Sequence, residues 1–184
     1  MNPQANDPCK RIVVLDTSAF LAGFDPFSLS IEQVTIPKVE EEIRRNSIIY
    51  TRFRAAIENG KLKVKAPRPE FLNNVKVLAS KLGDSYLLSE VDTQLLALAL
   101  ESKAEGYTPQ IVTDDYSIQN VATQMGIEFL ALATFGIKRV LEWKRYCPAC
   151  YREYPANFSA KECVVCGTEL KRKPRRTIKN VKAR

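Results

Sequence analysis

The chain has 184 residues, 45% of them hydrophobic and 27% charged, with five cysteines and no histidine. That length can bury one good core plus a small appendage. The lack of histidine excludes Ser-His-Asp and Cys-His machinery, and no apolar run reaches the roughly 18 residues that a transmembrane helix needs.

The first residues, MNPQAND, lack the basic and apolar regions of a secretory signal. A soluble, cytoplasmic protein is therefore expected. After a loose leader over 1–10, Ile12-Val13-Val14-Leu15 reads as a buried strand ending in Asp16, followed by a short helix through Thr17-Ser18-Ala19-Phe20-Leu21. Pro37 opens a helix at a position where its missing N–H costs little; it runs to about Glu58 with a break near Asn46-Ser47. Asn59-Gly60 stops it, and residues 61–65 alternate like a half-exposed strand. Helices are expected near 69–82 and 89–104, then a strand at 110–113 ending in Asp114-Asp115, a helix at 116–125, a strand at 127–130 and a helix near 136–143. Strands alternating with helices point to an α/β fold: a parallel sheet covered by helices on both faces. The expected division is an α/β domain over 1–142, a small domain over 143–170 and a basic, disordered tail over 171–184.

The small domain holds Cys147-Pro148-Ala149-Cys150, twelve intervening residues, then Cys163-Val164-Val165-Cys166-Gly167. Two Cys-x-x-Cys knuckles at this separation are a strong signal for one tetrahedral zinc site, a zinc ribbon. Four thiolates leave no open position, so this zinc is structural. A ribbon this small could not fold without its metal. Disulfides and a rubredoxin-like iron site are the alternatives, the former disfavoured in a reducing compartment. Cys9 is left over as a free thiol. The formal charge of +7 is local: residues 171–184 carry eight Lys or Arg and no acid, while the rest of the chain carries 20 basic and 21 acidic side chains. Such a run is a solvated tail, a phosphate-contacting arm, or both.

Acids at the carboxyl ends of parallel strands sit where ligands collect in open α/β sheets. Asp16, the Glu40-Glu41-Glu42 run, Asp92 and Asp114-Asp115 are the candidates. Each has a structural alternative. Asp16 and Asp114-Asp115 could cap the helices that follow them, and the glutamates could meet a helix dipole. Asp92 has Leu88, Leu95 and Leu96 as helical neighbours, which makes its burial costly, but Ser89-x-x-Asp92 is also a variant capping box. Periodicity does not choose between Glu40 and Glu42. Two converging carboxylates 4 Å apart repel by about 4 kcal/mol at an effective dielectric of 20. Mg²⁺ or Mn²⁺ relieves this, and suits phosphodiester hydrolysis by activating water and stabilising the leaving oxygen.

The segments VVLDTSAF (13–20), PKVEEEIR (37–44), LSEVDTQLLALA (88–99) and VTDDYSIQNV (112–121) resemble the PIN-domain nucleases. With the ribbon following, the resemblance over about 11–170 is to the NOB-type endoribonucleases that mature the 3′ end of small-subunit ribosomal RNA. It implies catalytic positions at Asp16, Glu42, Asp92 and Asp115, with Asp114, Thr17 and Thr113 supporting them. It also implies Mg²⁺- or Mn²⁺-dependent cleavage of single-stranded precursor RNA to a 3′-hydroxyl and a 5′-phosphate. The implied partners are precursor ribosomal RNA and the small ribosomal subunit, with homodimerisation common for the fold. The chain lacks the long insertion of eukaryotic members and so looks archaeal. Lys144, Arg145, Tyr151 and Arg152 mix charge with aromatics as RNA contacts do, joined by Lys171, Arg172, Lys173, Arg175 and Arg176 of the tail. Trp143 and Tyr146 are expected to glue the ribbon to the larger domain. The rivals are a non-catalytic RNA-binding assembly module and a toxin-like nuclease of transfer or messenger RNA.

Overall fold

A computed structural model of the chain describes residues 10–82, 88–133, 139–155 and 157–180, with side chains at 81–82, 139–142 and 174–180 left aside. Cys9 and the leader before Lys10 lie outside the described residues, as do 181–184 of the tail.

Strand β1 (Arg11–Leu15) is apolar at four consecutive positions because both of its faces are covered, the pattern of a central parallel strand. Helix α1 (Thr17–Leu21) follows, then a 3-10 turn at Pro26–Ser28 and strand β2 (Glu32–Thr35). The break at Asn46 divides α2 (Pro37–Ile43) from α3 (Ser47–Glu58), since the Asn46 side chain accepts from the Ile49 N–H and starts a new helix. Next come β3 (Leu62–Val64), α4 (Pro69–Leu82), α5 (Glu90–Ala104), β4 (Thr108–Val112), α6 (Tyr116–Gln124) and β5 (Glu128–Leu130). The five strands form one parallel sheet in the order β3-β2-β1-β4-β5. Order reverses on either side of β1, so the crevice beside its carboxyl end is the switch point of the sheet.

Strand β2 was not expected from the sequence. Its central Gln33 breaks the apolar pattern, yet it is buried and donates to the Pro26 carbonyl at 2.8 Å. Thr35 is also buried, its hydroxyl donating to the Leu15 carbonyl at 2.7 Å. The core runs through β1, α5 and α6, with Phe20 meeting Phe53 edge-to-face at 5.3 Å. That geometry adds about 0.5–1.5 kcal/mol beyond burial. Behind the sheet, Glu101 is a fully buried carboxylate held by Lys65 at 2.9 Å and by the Arg68 side chain at 3.1 Å and N–H at 2.8 Å. It fastens the segment before α4 to α5.

Two expectations fail at the C-terminal end. Of the helix expected near 136–143, residues 136–138 lie outside the described residues, and 139–143 belong instead to strand β6 (Arg139–Tyr146). The described part of the basic tail, 171–180, is not loose either. Strand β8 (Lys171–Asn180) pairs antiparallel with β6, and β7 (Glu153–Tyr154) pairs along the other side of β6. The boundary expected between 142 and 143 therefore cuts a strand, and the small sheet starts at Arg139. Pairing satisfies the backbone while leaving charged side chains at a sheet edge, where Lys and Arg discourage further strand addition. Charge alone made the run look unstructured. Trp143 and Tyr146 likewise serve the small sheet, lying under the Arg172 guanidinium and the Lys173 ammonium, each at 4.7 Å.

Candidate active site and cysteine centre

The carboxyl ends of the parallel strands and the N-termini of the helices lie at the same end of the sheet, and the acids are built into these junctions. Asp16 caps α1 and Asp115 caps α6, while Asp92 is the third residue of α5 and closes a capping box with Ser89. The partial positive charge of a helix start favours a carboxylate at all three positions. Capping and gathering in one place are thus not alternatives here.

Asp16 is the hub. One of its oxygens accepts from the Thr17 N–H at 2.7 Å, and the other from the Ser18 hydroxyl at 2.6 Å and the Thr113 hydroxyl at 2.9 Å. It is only 6% exposed. Thr113 Oγ1 in turn accepts from the Asp115 N–H at 3.1 Å, and the Asp115 carboxylate accepts from the Ser117 N–H at 2.6 Å. On the other side, the Thr17 hydroxyl donates to Glu42 Oε2. That contact separates the glutamates: Glu40 turns to Arg44 at 3.3 Å and Tyr50 at 3.5 Å, and Glu41 is exposed. Asp92 is joined electrostatically. Burial pushes its carboxyl above the ordinary range, the Ser89 bonds oppose this, and the nearby charges of Asp115 and Asp16 raise it further.

The crowding expected of these acids is relieved by spacing. Among the described residues, no three carboxylates bring their oxygens within 4.8 Å of one another. Hydroxyls stand between them instead. Among the same residues, Glu42 Oε1, Asp92 Oδ1 and Asp115 Oδ2 take part in no hydrogen bond. Fixed carboxylates with spare oxygens are a donor set suited to a hard divalent cation. Asp114 points elsewhere: its carboxylate accepts from the N–H groups of Leu132 and Ala133, each at 3.0 Å, and fastens the segment after β5. Its backbone N–H reaches the hub, donating to Ser18 Oγ at 3.0 Å. Ser18 is the contact that sequence reasoning missed. Its place two residues after the strand-end acid was the available signal.

The four cysteines behave differently. All four sulfurs lie within 4.8 Å of one another, with Cys147–Cys166 at 3.4 Å and Cys150–Cys163 at 3.5 Å. A tetrahedron of bonds near 2.3 Å has edges of about 3.8 Å, so the set fits one metal ion. The two knuckles share one backbone plan. Tyr151 N–H donates to the Cys147 carbonyl at 2.9 Å, as Gly167 N–H does to Cys163 at 2.8 Å, and both Tyr151 and Gly167 have positive φ, 58° and 70°. The second knuckle supplies the glycine such a turn favours; the first accepts strain at a tyrosine. The Tyr154 hydroxyl lies 3.0 Å from Cys163 Sγ, and donating there draws that thiol down to about 6 and raises the tyrosine to about 12. Tyr154 was not singled out from the sequence.

Among the candidate RNA contacts, Lys144 and Lys173 both pair with Glu153, at 2.6 and 2.9 Å, and Arg145 donates to the Ala160 carbonyl at 2.9 Å. Tyr151, Arg152 and Lys171 are exposed. Arg175 and Arg176 lie in β8, their side chains outside the described part.

Comparison with known proteins agrees with this architecture. A family model described as the PIN domain of ribonuclease matches residues 13–101, a span that includes Asp16, Glu42 and Asp92. Endoribonuclease Nob1 of Pyrococcus abyssi is 41% identical over 168 residues, covering 91% of this chain and 96% of the relative. Its counterpart in Methanocaldococcus jannaschii is 37% identical over 163 residues, 89% of this chain and 78% of that one. The chain belongs to the Nob1 endoribonuclease family. A relative named Ribonuclease VapC1, from Thermoplasma acidophilum, is 35% identical over 162 residues, 88% of this chain and 77% of its own length. The PIN domain thus rests on the family model and the endoribonuclease class on the Nob1 relatives. Among the described residues no helix is long and apolar enough to cross a membrane.

Proposed function

We propose that the chain cleaves single-stranded precursor RNA at the 3′ end of small-subunit ribosomal RNA, acting on the small ribosomal subunit in the cytoplasm. On this reading Mg²⁺ or Mn²⁺ binds among Asp16, Glu42, Asp92 and Asp115, and structural zinc among Cys147, Cys150, Cys163 and Cys166. The observation that carries it is the hub at Asp16, fixed by three donors, beside three acids that each keep an oxygen outside the hydrogen bonds among the described residues. Binding phosphate alone gains nothing from concentrated negative charge, which weighs against a non-catalytic module.

A divalent ion in this site supplies activated water and charge neutralisation at the scissile phosphate. The chain's own part is orientation. Thr17 directs Glu42, Thr113 ties Asp16 to Asp115, and Ser89 sets Asp92, so the ligands are held before RNA arrives. Glu42, tied to the hub through the Thr17 hydroxyl, is suited to position the attacking water or a second ion.

Asp16→Asn is expected to reduce cleavage by roughly 10²–10³-fold or more, the scale of losing a preorganised electrostatic partner. RNA affinity and zinc content should be largely retained. Asp16 is also a hydrogen-bond hub, so Asp115→Asn serves as a second variant with less structural burden. Turnover at the parent rate in both would overturn the assignment. A toxin-like nuclease of transfer or messenger RNA is the rival, and the relative named Ribonuclease VapC1 supports it only weakly; mapping product ends from a precursor spanning the junction, beside transfer RNA, separates the two.

A further inference from the structure

Among the described ion pairs, one joins two of the helices that carry site acids. Lys38, on α2, pairs with Glu90, the first residue of α5. Lys38 stands four residues before Glu42 and so shares its face of α2, while Glu90 stands two residues before Asp92. The ammonium is thereby held against the first turn of α5, which carries Asp92, and one helical turn from Glu42 on α2. The pair is open to solvent, with Lys38 34% and Glu90 71% exposed, and exposed pairs of this kind contribute little to stability.

An RNA strand entering an acidic site meets repulsion at every phosphate except the one held by metal. A cation at the rim is what a neighbouring phosphate needs. Lysine is well suited there, as a compact charge on a flexible stem that can change partners. We propose that Lys38 is the phosphate-binding residue of this site, parked on Glu90 in the free protein and transferred to a phosphate flanking the scissile bond when single-stranded RNA binds. The proposal rests on the nuclease reading above. Several other described cations of the same domain are engaged elsewhere: Arg44 is turned to Glu40 and stacked 5.9 Å from the Tyr50 ring centre, Lys63 pairs with Glu32, and Lys65 and Arg68 close over Glu101.

The test uses the full, zinc-loaded chain and a fluorescent single-stranded oligoribonucleotide spanning the junction. Affinity is measured against salt with Ca²⁺ as a divalent ion poor for catalysis, and single-turnover cleavage with Mn²⁺. Lys38→Ala should weaken binding and lower the slope of log affinity against log salt by about 0.7, the value of one phosphate contact on a single strand. Lys38→Arg should restore that slope. Glu90→Gln, which removes the competing partner, should bind as tightly as the parent or tighter. The idea is overturned if Lys38→Ala leaves the slope unchanged, or if Glu90→Gln loses affinity and thermal stability together with Lys38→Ala. That pattern would make the pair a clasp between α2 and α5. An RNA that binds but is never cut removes the nuclease reading, while the salt slopes still decide the role of Lys38; an RNA that does not bind the parent removes both.

Discussion

The acidic site and the cysteine centre solve one problem, collecting like-charged ligands, by opposite means. The cysteines come from two knuckles only twelve residues apart and pack their sulfurs within 4.8 Å. The acids come from positions 16 to 115, and the sheet brings them together with hydroxyls in between. The ribbon's arrangement makes sense only around a metal. The acidic site is held by hydrogen bonds to helix starts and side chains and keeps its shape by itself.

Stripping the ribbon's metal gives the sharpest contrast. Structural zinc in such peptides is bound with an apparent free energy of about 10–16 kcal/mol, and that binding is folding energy. A thiol-selective chelator should therefore abolish the native backbone signals of 147–170 in an NMR spectrum. The parallel sheet, with its own core, should keep its thermal transition. Loss of both together would mean that the two regions are one cooperative unit.

A matched pair of hydroxyl deletions asks whether the regions differ in how they depend on supporting bonds. Thr113 is buried and serves both Asp16 and Asp115, so Thr113→Val removes one bond and orphans the Asp115 N–H. Cleavage should fall by about 10–100-fold, the usual effect of losing a group that orients metal ligands, with a stability loss of about 1–3 kcal/mol. Tyr154→Phe removes the donor to Cys163 and should weaken zinc retention on the same scale without altering the acidic site. Competition with a zinc indicator reads the second, and single-turnover cleavage the first. Equal effects of both variants on both readouts would erase the distinction.

The two regions also differed in how far the sequence revealed them. Local spacing was enough for the cysteines, because each pair and its turn lie within a few residues. Asp16 and the Asp114-Asp115 pair could be located because each follows a short apolar or β-branched run that ends abruptly; the choice of Asp115 within its pair came from the family resemblance. Glu42 could not be separated from Glu40 by periodicity, since both flank the same stripe; the choice lies in Thr17, 25 residues away, and in Arg44 and Tyr50, which occupy Glu40. Strand β2 was hidden by Gln33, whose burial depends on a carbonyl at Pro26 that no local pattern announces. Strand β8 was hidden by its charge, because pairing with β6 satisfies only the backbone and leaves the side-chain pattern unconstrained. Tyr154 escaped notice for a related reason: its hydroxyl reaches Cys163 across the ribbon, a contact that the spacing of the knuckles does not announce.

The smallest effect concerns what the acidic site gives up by existing before its metal. Burial, together with Asp115 and Asp16, holds the Asp92 carboxyl above its ordinary range in the folded chain. The folded state therefore keeps a proton that the unfolded state has released. Stability follows that difference: it is greatest below the ordinary carboxylate value and declines as pH rises through the raised folded value. Asp92→Asn removes the titration, so the stability gap between parent and variant should shift in favour of the variant across that window and stay constant on either side. The Ser89 bonds, which favour the charged carboxylate, are already part of the folded value, and comparing two chains with intact ribbons cancels the ribbon's own acid response. Mg²⁺ or Mn²⁺ should flatten or reverse the slope by supplying the missing positive charge. Denaturant titrations from acid to neutral pH, with and without added divalent ion, measure it. A slope that survives in the variant would show that the acids are electrostatically independent and that the hydroxyl spacing already relieves their repulsion in full.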